Sequence, residues 1–253
     1  MALLVTEAIV LHTFDYLESS RIVRLMTREA GMRSGVAKGA RKSVRRFGSG
    51  LDLFAQGTAS LHTRPGRDLD TLSAFEDVRT RTQIADDLER FTGAETIAEI
   101  ALRFGREGAD AELFDTIASA FDTIAVAAPA DAREATLAAA WHIVAALGFA
   151  PSLGECAECE RGLPPNEPAM FIHAAGGLLC ARCASLSTGG RKLPALARDA
   201  IAAWCAGSRR AGLGASDGRA HQRLLREFLG YHLHDGRPLR AYDMWEREGW
   251  SAA

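Results

Sequence analysis

The sequence predicts an α+β protein, with a small five-stranded β-barrel followed by an all-helical domain that carries an inserted four-cysteine module. Apolar residues alternate with period two through the first 80 residues, which is typical of short strands. From residue 81 they recur at three- and four-residue steps, which is typical of amphipathic helices. Between residues 152 and 190 periodic apolar positions are few, whereas Gly, Pro and Cys are frequent. We therefore expect a barrel domain at 1–80 and a helical domain at 81–253, which the module interrupts at 152–190.

Five short strands account for the barrel. Val5, Ile9 and Leu11 stand at even spacing in the first strand. The second strand covers residues 22–26, and residues 31–36 mark a turn into the third strand. The fourth strand lies in residues 51–63 and the fifth strand in residues 69–76. A Pro-Gly turn separates the last two strands. Five short strands without a helical pattern favour a closed or nearly closed barrel.

The helical domain is predicted from several amphipathic stretches. Residues 81–105 form one or two helices, and further stripes cover 113–126 and 132–147. Gly148 is placed to cap the last of these, and Pro151 prevents its continuation. Helical periodicity returns at 193–205 and at 220–234 after the module.

Two Cys-x-x-Cys pairs, Cys156/Cys159 and Cys180/Cys183, hold four of the five cysteines. Each pair can turn two thiolates toward one point, and two pairs complete a closed tetrahedral zinc site. A segment this poor in apolar residues cannot bury enough surface to fold unaided, which also favours a structural metal. A redox Cys-x-x-Cys usually occurs once, in a βαβ context that is absent here. Cys205 lies on a helical stripe and is interpreted as a core thiol.

A strongly basic segment lies between the predicted third and fourth strands. No acidic residue occurs from position 30 to position 51, and glycines interrupt the segment repeatedly. Such a loop can contact phosphates, and an aromatic side chain beside the cations can stack on a base. Small five-stranded barrels often bind oligonucleotides on one face and its loops. The candidate DNA-binding residues are Lys38, Arg41, Lys42, Arg45, Arg46 and Phe47.

Other classes of protein are disfavoured. There is no phosphate-binding loop, no His-Glu-x-x-His and no nucleophile–base pair, so no catalytic residue is assigned and an enzyme is not expected. The N-terminus does not resemble a signal peptide, and no apolar run approaches the length of a membrane span. We therefore expect a cytoplasmic protein, where paired cysteines favour metal over disulfide.

The ordered combination of motifs resembles the RecO family of bacterial DNA repair and recombination mediators. The resemblance spans nearly the whole chain. It rests on Glu7-Ala-Ile-Val-Leu11, Ser19-Ser-Arg-Ile-Val-Arg24, Ala37-Lys-Gly-Ala-Arg-Lys42 with Arg45-Arg-Phe47, Leu147-Gly-Phe-Ala-Pro-Ser-Leu153 with the first cysteine pair, Gly176-Gly-Leu-Leu-Cys180 with the second, and Tyr231-His-Leu-His-Asp-Gly-Arg237-Pro-Leu-Arg240.

The resemblance implies an N-terminal OB-fold and a helical C-terminal domain with a zinc module. It implies binding of single- and double-stranded DNA, annealing of complementary strands, and help in loading the RecA recombinase. The implied partners are the mediator RecR and single-strand-binding protein, and the place of action is the nucleoid. DNA contact is carried to Lys38, Arg41, Lys42, Arg45 and Arg46. A second basic surface is expected from Arg209, Arg210, Arg219, Arg223 and Arg226.

Three alternatives remain at the level of sequence. An RNA- or ribosome-associated protein with an OB-fold and a zinc ribbon would use the same physics on another polyanion. A thiol oxidoreductase would use the cysteine pairs without metal. A scaffold without nucleic-acid contact would show no salt-dependent DNA binding.

Overall fold

The structure is a computed structural model that describes residues 2–42, 44–47, 51–64, 66, 68–165, 167–208, 215–233 and 236–248. The chain divides into two compact units, Met1–Pro129 and Ala130–Ala253. The first unit contains the barrel, with a short helix between two of its strands, and two longer helices. The second contains the cysteine module and the remaining helices.

The first unit opens with a closed five-stranded barrel, as the sequence predicted. The neighbours around the barrel are β1-β2-β3-β5-β4, with β4 returning to β1. Only the β3–β5 pair among the described strands of this sheet is parallel. The bounds are β1 Ala2–Tyr16, β2 Ser20–Thr27, β3 Gly31–Ala37, β4 Gln56–Thr63 and β5 Asp70–Arg79, with a short helix α1 at Val44–Phe47 between β3 and β4.

The length of β1 allows the barrel to close. Its first half pairs with β4 and its second half with β2, and the register shifts between Val10 and His12. Such an irregularity bends a strand and increases its twist, which turns a flat sheet into a barrel. Inward-facing side chains of all five strands, among them Val23, Leu25 and Phe75, are fully buried and form the core.

The fourth strand begins later than its alternation suggested. Leu51 and Phe54 have φ angles of +68° and +65°, so this segment is a turn, and β4 starts at Gln56. The positive φ angles bring both side chains into the interior, where Leu51 joins the barrel core and Phe54 packs on Phe121. The alternation of apolar residues here therefore reflects burial and not strand pairing.

Two helices complete the first unit, α2 at Leu88–Phe104 and α3 at Ala111–Val126, after a 3₁₀ turn at Thr82–Asp86. Both helices begin at an aspartate whose carboxylate accepts a backbone N–H: Asp87 from Arg90 at 3.0 Å and Asp110 from Leu113 at 2.9 Å. These caps satisfy N–H groups that have no partner inside the helix.

The second unit is built on α4 (Ala132–Ala146), α6 (Ala195–Cys205), α7 (Ala215–His232) and α8 (Arg240–Glu248). Trp141, Trp204 and Phe228 are buried at its centre. Helix α7 begins earlier than predicted, and the sequence did not predict α8. Tyr242 and Trp245 of α8, three positions apart and therefore on one face of the helix, are fully buried.

The cysteine module lies between α4 and α6. It contains a three-stranded antiparallel sheet in the order β7-β6-β8. The strands are β6 Ala169–Ile172, β7 Gly177–Leu179 and β8 Arg191–Leu193, and a short helix α5 covers Ala181–Ala184. Within the described ranges, no helix combines the length and the apolar character that a bilayer crossing requires.

Candidate metal centre and nucleic-acid interface

The four cysteines of the two pairs converge on one point. The Sγ atoms of Cys156, Cys159, Cys180 and Cys183 all lie within 4.8 Å of one another. Cys159 Sγ and Cys180 Sγ are 3.8 Å apart. Because zinc–thiolate bonds are about 2.3 Å long and tetrahedral, neighbouring sulfurs around zinc lie roughly 3.8 Å apart. The donor set therefore fits a metal that prefers four thiolates.

The first pair sits in a tight turn that local hydrogen bonds hold. The backbone N–H of Cys156 donates to the carbonyl oxygen of Arg161, and the N–H of Glu160 donates to that of Cys156, both at 2.8 Å. Glu160 takes a left-handed φ of +59°, which reverses the chain just after the second sulfur. The turn thus directs both thiols to the same side.

The second pair begins where β7 ends. Cys180 is the N-cap of α5, and Cys183 lies within that single helical turn. The N–H of Ala184 donates to the carbonyl oxygen of Cys180 at 2.9 Å and closes the turn. An edge of the sheet followed by one helical turn therefore presents two sulfurs three residues apart.

The electrostatics of the four sulfurs also favour a cation. Burial opposes ionisation of Cys156, but backbone N–H groups of Cys180, Cys159 and Glu158 bring its pKa down to about 6. Contacts with the thiols of Cys180 and Cys159 raise the pKa of Cys183 to about 12. Four thiolates at this distance repel one another, and a bound divalent cation removes that repulsion.

A close backbone contact anchors the start of the module. The N–H of Ser152 donates to the carbonyl oxygen of Gly176 at 3.0 Å, and the N–H of Leu178 donates to that of Ser152 at 2.8 Å. A Cβ atom on Gly177 would lie 2.4 Å from the Ser152 carbonyl oxygen. Only glycine allows these two segments to approach so closely.

Two side chains of α7, Glu227 and His232, bind the cysteine module. His173, which follows β6, donates from Nε2 to Glu227 Oε2 at 3.0 Å. The same carboxylate accepts from Arg191 at the start of β8, and His232 Nε2 lies 2.6 Å from the carbonyl oxygen of His173. His173 is therefore engaged with α7 and does not join the four sulfurs.

A buried arginine on α6 supports the loop between the first cysteine pair and β6. Arg198 is almost fully buried, and its guanidinium donates to the carbonyl oxygens of Pro164 at 2.7 Å and Leu163 at 3.4 Å. Sequence reasoning did not identify Arg198, Arg191 or Glu227. Their partners lie more than thirty positions away along the chain, and no local pattern identifies such contacts.

The basic segment forms a turn at one end of the barrel, after β3. Gly39 adopts a φ of +72°, and the N–H of Lys42 donates to its carbonyl oxygen at 3.0 Å. The N–H of Arg41 donates to the carbonyl oxygen of Ser19 at 3.2 Å, which fixes this turn beside the β1–β2 loop. The side chains of the turn that are exposed to solvent are Lys38, Arg41, Lys42 and Arg46.

The basic side chains of this region differ in whether a carboxylate already binds them. Lys38 and Lys42 form no ion pair with any described residue, and Arg41 lies 3.7 Å from Asp15. Arg33, by contrast, binds the buried carboxylate of Asp70 at 2.6 and 2.9 Å. Arg33 therefore has a structural role. The side chain of Arg45 lies outside the described part of the chain.

Phe47 differs from its sequence prediction. It is 0% exposed and belongs to the barrel core with Leu51 and Phe75. Arg46 lies over the ring, with its guanidinium carbon 5.2 Å from the ring centroid, and donates to the carbonyl oxygen of Lys38 at 3.1 Å. The prediction that Phe47 is free to stack on a base is therefore corrected. Its buried ring instead attaches α1, and with it the basic segment, to the barrel core.

The candidate second basic surface lies partly on α7. Arg219 and Arg223 are exposed there, whereas Arg226 binds Glu246 of α8 at 2.6 Å. Residues 209 and 210 lie outside the described residues. Arg219 and Arg223 are therefore exposed candidates for contact with a polyanion, and the assignment of Arg209 and Arg210 stays a prediction.

These features define a protein that joins a closed five-stranded barrel with a basic turn to a helical unit with a tetracysteine centre. Residues 1–81 match the family model described as Recombination protein O N terminal, and residues 85–241 match the one described as Recombination protein O C terminal.

The chain aligns with several related proteins over most of its own length and of theirs. The chain is 36% identical over 241 residues to the DNA repair protein RecO of Anaeromyxobacter dehalogenans (strain 2CP-C), covering 92% of each chain. It is 33% identical over 187 residues to that of Rubrobacter xylanophilus, covering 73% of each, and 37% identical over 182 residues to that of Geobacter sulfurreducens, covering 70% of this chain and 71% of the relative. The chain belongs to the RecO family of DNA repair proteins, as its motifs predicted, and its barrel is the family's OB-fold. Membership supports a role in recombinational repair.

Proposed function

We propose that this protein binds single- and double-stranded DNA, anneals complementary strands and helps to load a recombinase during recombinational repair, without covalent chemistry of its own. The single observation that carries this proposal is the exposed basic turn, residues 38–42 together with Arg46, fixed on an OB-fold barrel of a DNA repair family. Because the proposed substrate is chromosomal DNA, we expect the protein to be located in the cytoplasm, at the nucleoid. The proposed domain boundaries remain 1–80 and 81–253, with the module at 152–190.

The physics of annealing fits such a surface. Two complementary strands repel each other through their phosphates, and a protein that neutralises both lowers that barrier without reading sequence. Lys38, Arg41 and Lys42 are exposed on a short turn and Arg46 is exposed beside them on α1, so several phosphates can be contacted at once. We include Arg45 in this set because it belongs to the same basic run. Arg219 and Arg223 are candidates for contact with a second strand.

We also propose that Cys156, Cys159, Cys180 and Cys183 bind one zinc ion, which holds the module together and takes no part in a reaction. Four protein ligands saturate tetrahedral zinc and leave no position for substrate. The mutual distances of the sulfurs support this assignment. The proposed protein partners are RecR and single-strand-binding protein, with a functional link to RecA.

The test of DNA binding is a salt titration. Each lost phosphate contact on a single strand lowers the slope of log K against log[salt] by about 0.7. We expect Lys42→Glu to weaken binding of an oligo-dT strand and to reduce that slope, and Lys38→Glu/Lys42→Glu to reduce it further. Arg106→Glu, which reverses an exposed charge elsewhere in the same unit, is the control and should keep the wild-type slope.

Unchanged slopes in both charge-reversal variants would show that the turn is not the binding site. Competition between single-stranded DNA and RNA at one salt concentration tests the nucleic acid: a clear preference for RNA would contradict the proposal. A strand-annealing assay on DNA coated with single-strand-binding protein then tests the mediator role.

A further inference from the structure

The outer face of the barrel beside the basic turn carries a row of aromatic side chains. Val23 and Leu25 of β2 point into the core and are fully buried. Because side chains alternate along a strand, Ile22 and Arg24 face outward. Their partners on β1 are Phe14, opposite Ile22, and His12, opposite Arg24. The outer face of β1 therefore presents an aromatic ring at every second position, at His12, Phe14 and Tyr16.

These rings are accessible over a continuous strip. Phe14 is 44% exposed and Tyr16 is 42% exposed, and His12 is exposed beside them. The ring centroids of His12 and Phe14 are 5.8 Å apart. Half-buried Ile22 stands next to Phe14 across the strand pair and, with Val36 of β3 opposite it, extends the apolar surface across three strands. Exposed aromatic rings in a row on one strand are costly in water unless a ligand covers them.

The two ends of the strip differ. Beyond Tyr16 the chain turns, and the carbonyl oxygen of Ser19 in that turn accepts the N–H of Arg41 from the basic turn at 3.2 Å. Beyond His12 the guanidinium of Arg24 donates to the carbonyl oxygen of Leu102 at the end of α2, 3.3 Å away. The strip thus ends in exposed cations on one side and at a helix on the other. A polyanion with flat apolar groups has the complementary chemistry.

We propose that His12, Phe14 and Tyr16 form a stacking platform for unpaired bases of single-stranded DNA, whose phosphates contact the adjacent basic turn. This inference rests on the proposed function and adds the residues that receive the bases. Aromatic rings stack on any base, so the platform needs no sequence preference. These three rings supply the base stacking that the sequence had predicted for Phe47, whose own ring is buried in the barrel core.

The spacing of the platform selects single strands. The ring centroids of His12 and Phe14 are 5.8 Å apart, whereas stacked bases in DNA rise by about 3.4 Å. One base on each ring is therefore compatible only with a stretched strand. A duplex keeps its bases paired and stacked inside, so it can contact the basic turn but not the platform.

The experiment compares Phe14→Leu/Tyr16→Leu with the wild-type protein. Leucine keeps an apolar side chain but has no flat ring. We expect affinity for oligo-dT to fall at least about tenfold, since each lost ring removes base stacking that a leucine side chain does not replace. The salt slope and the affinity for duplex DNA should stay unchanged, because no phosphate contact is lost. An oligonucleotide carrying 2-aminopurine should lose fluorescence on binding the wild-type protein and lose much less on binding the variant.

Two controls make the result specific. Leu3→Ala/Val5→Ala removes exposed apolar side chains from the other end of β1 and should bind as the wild type does. Phe14→Tyr/Tyr16→Phe keeps both rings and should retain affinity and quenching. Circular dichroism melts establish that every variant is folded.

The outcomes separate this inference from the proposed function. Wild-type affinity and quenching in the leucine variant, with weaker binding after charge reversal in the turn, would overturn the platform alone. A defect seen only on DNA coated with single-strand-binding protein would also overturn it, since the strip would then contact protein. Absence of single-strand binding by the wild-type protein would overturn both.

Discussion

His173 donates a hydrogen bond from Nε2 to Oε2 of Glu227, 3.0 Å away, and so joins the cysteine module to α7. The same carboxylate binds Arg191, with Nε at 2.8 Å from Oε2. His173 follows β6 and Arg191 opens β8, so one side chain of α7 holds two neighbouring strands of the module. The four sulfurs therefore hold the module together internally, and this carboxylate fixes it to the helical unit.

This contact should make the stability of the second unit depend on pH. Burial lowers the pKa of His173 below its ordinary 6.5, against the opposing charge of Glu227. Hydrogen bonds from Arg191 lower the pKa of Glu227 below 4.5. Both groups bind protons more readily in the unfolded chain, so stability rises with pH. The His173 contribution is complete above pH 6.5 and is lost as the pH falls through its lower folded value; the Glu227 contribution follows below pH 4.5.

The measurement is urea unfolding of the wild type and of His173→Gln at a series of pH values between about 5 and 7, the range in which histidine titrates. The glutamine does not titrate, so the variant should lose less stability on acidification. Superimposable pH profiles for the two proteins would contradict the assignment of this dependence to His173.

Replacement of one cysteine of the centre should release the metal. We expect Cys180→Ser to reduce bound zinc from about one per chain to a small fraction and to unfold the module locally, because structural zinc sites contribute folding free energy directly. Cys205→Ser is the matched control, since burial raises the pKa of this thiol to about 12 and it lies at the end of α6, outside the set of four. Zinc analysis and thermal melts provide the readout. A Cys180→Ser protein with full zinc and an unchanged melting temperature would be incompatible with the centre.

The parts of the structure that the sequence predicted depend on local patterns. Two cysteines three positions apart favour a metal-binding turn wherever they occur, and alternation over a few residues indicates a strand. Phe47 shows where this reasoning ends, because an aromatic residue inside a basic run can point to solvent or to the core. The long-range packing of the barrel decides between these positions, and here it buries the ring.

The same limit applies to contacts between distant segments. Glu227 meets His173 across 54 positions and Arg81 meets Asp122 across 41, so neither pair leaves a periodic signal. His12, Phe14 and Tyr16 did stand at alternate positions in the sequence. Their outward direction became evident only once the register with β2 identified Val23 and Leu25 as the inward-facing side chains.

The close approach of Gly177 to Ser152 offers a test that leaves every sulfur in place. In Gly177→Ala the new Cβ would meet the Ser152 carbonyl oxygen at 2.4 Å, so one of the two backbone segments must move. We expect the hydrogen bonds at this point to weaken and zinc to be released faster to a chelator. Gly154→Ala, whose Cβ would have no heavy atom within 4 Å, should release zinc at the wild-type rate. Equal rates in the two variants would mean that this contact does not support the centre.

Two arginines that share Asp122 should differ greatly in their contribution to the stability of the first unit. Arg81 is 4% exposed and donates to the carbonyl oxygen of Phe54 at 2.6 Å, to Gln56 Oε1 at 2.9 Å and to Asp122 Oδ1 at 2.7 Å. Arg79 binds the same carboxylate from an exposed position. Each buried acceptor that loses its donor costs about 1–3 kcal/mol, whereas exposed ion pairs contribute about 0–1 kcal/mol. Guanidinium unfolding should therefore show a large loss for Arg81→Ala and a small one for Arg79→Ala. Similar losses in the two variants would contradict the view that Arg81 connects β4 to α3, because Arg81 is buried and also donates to Phe54 and Gln56, whereas Arg79 is exposed.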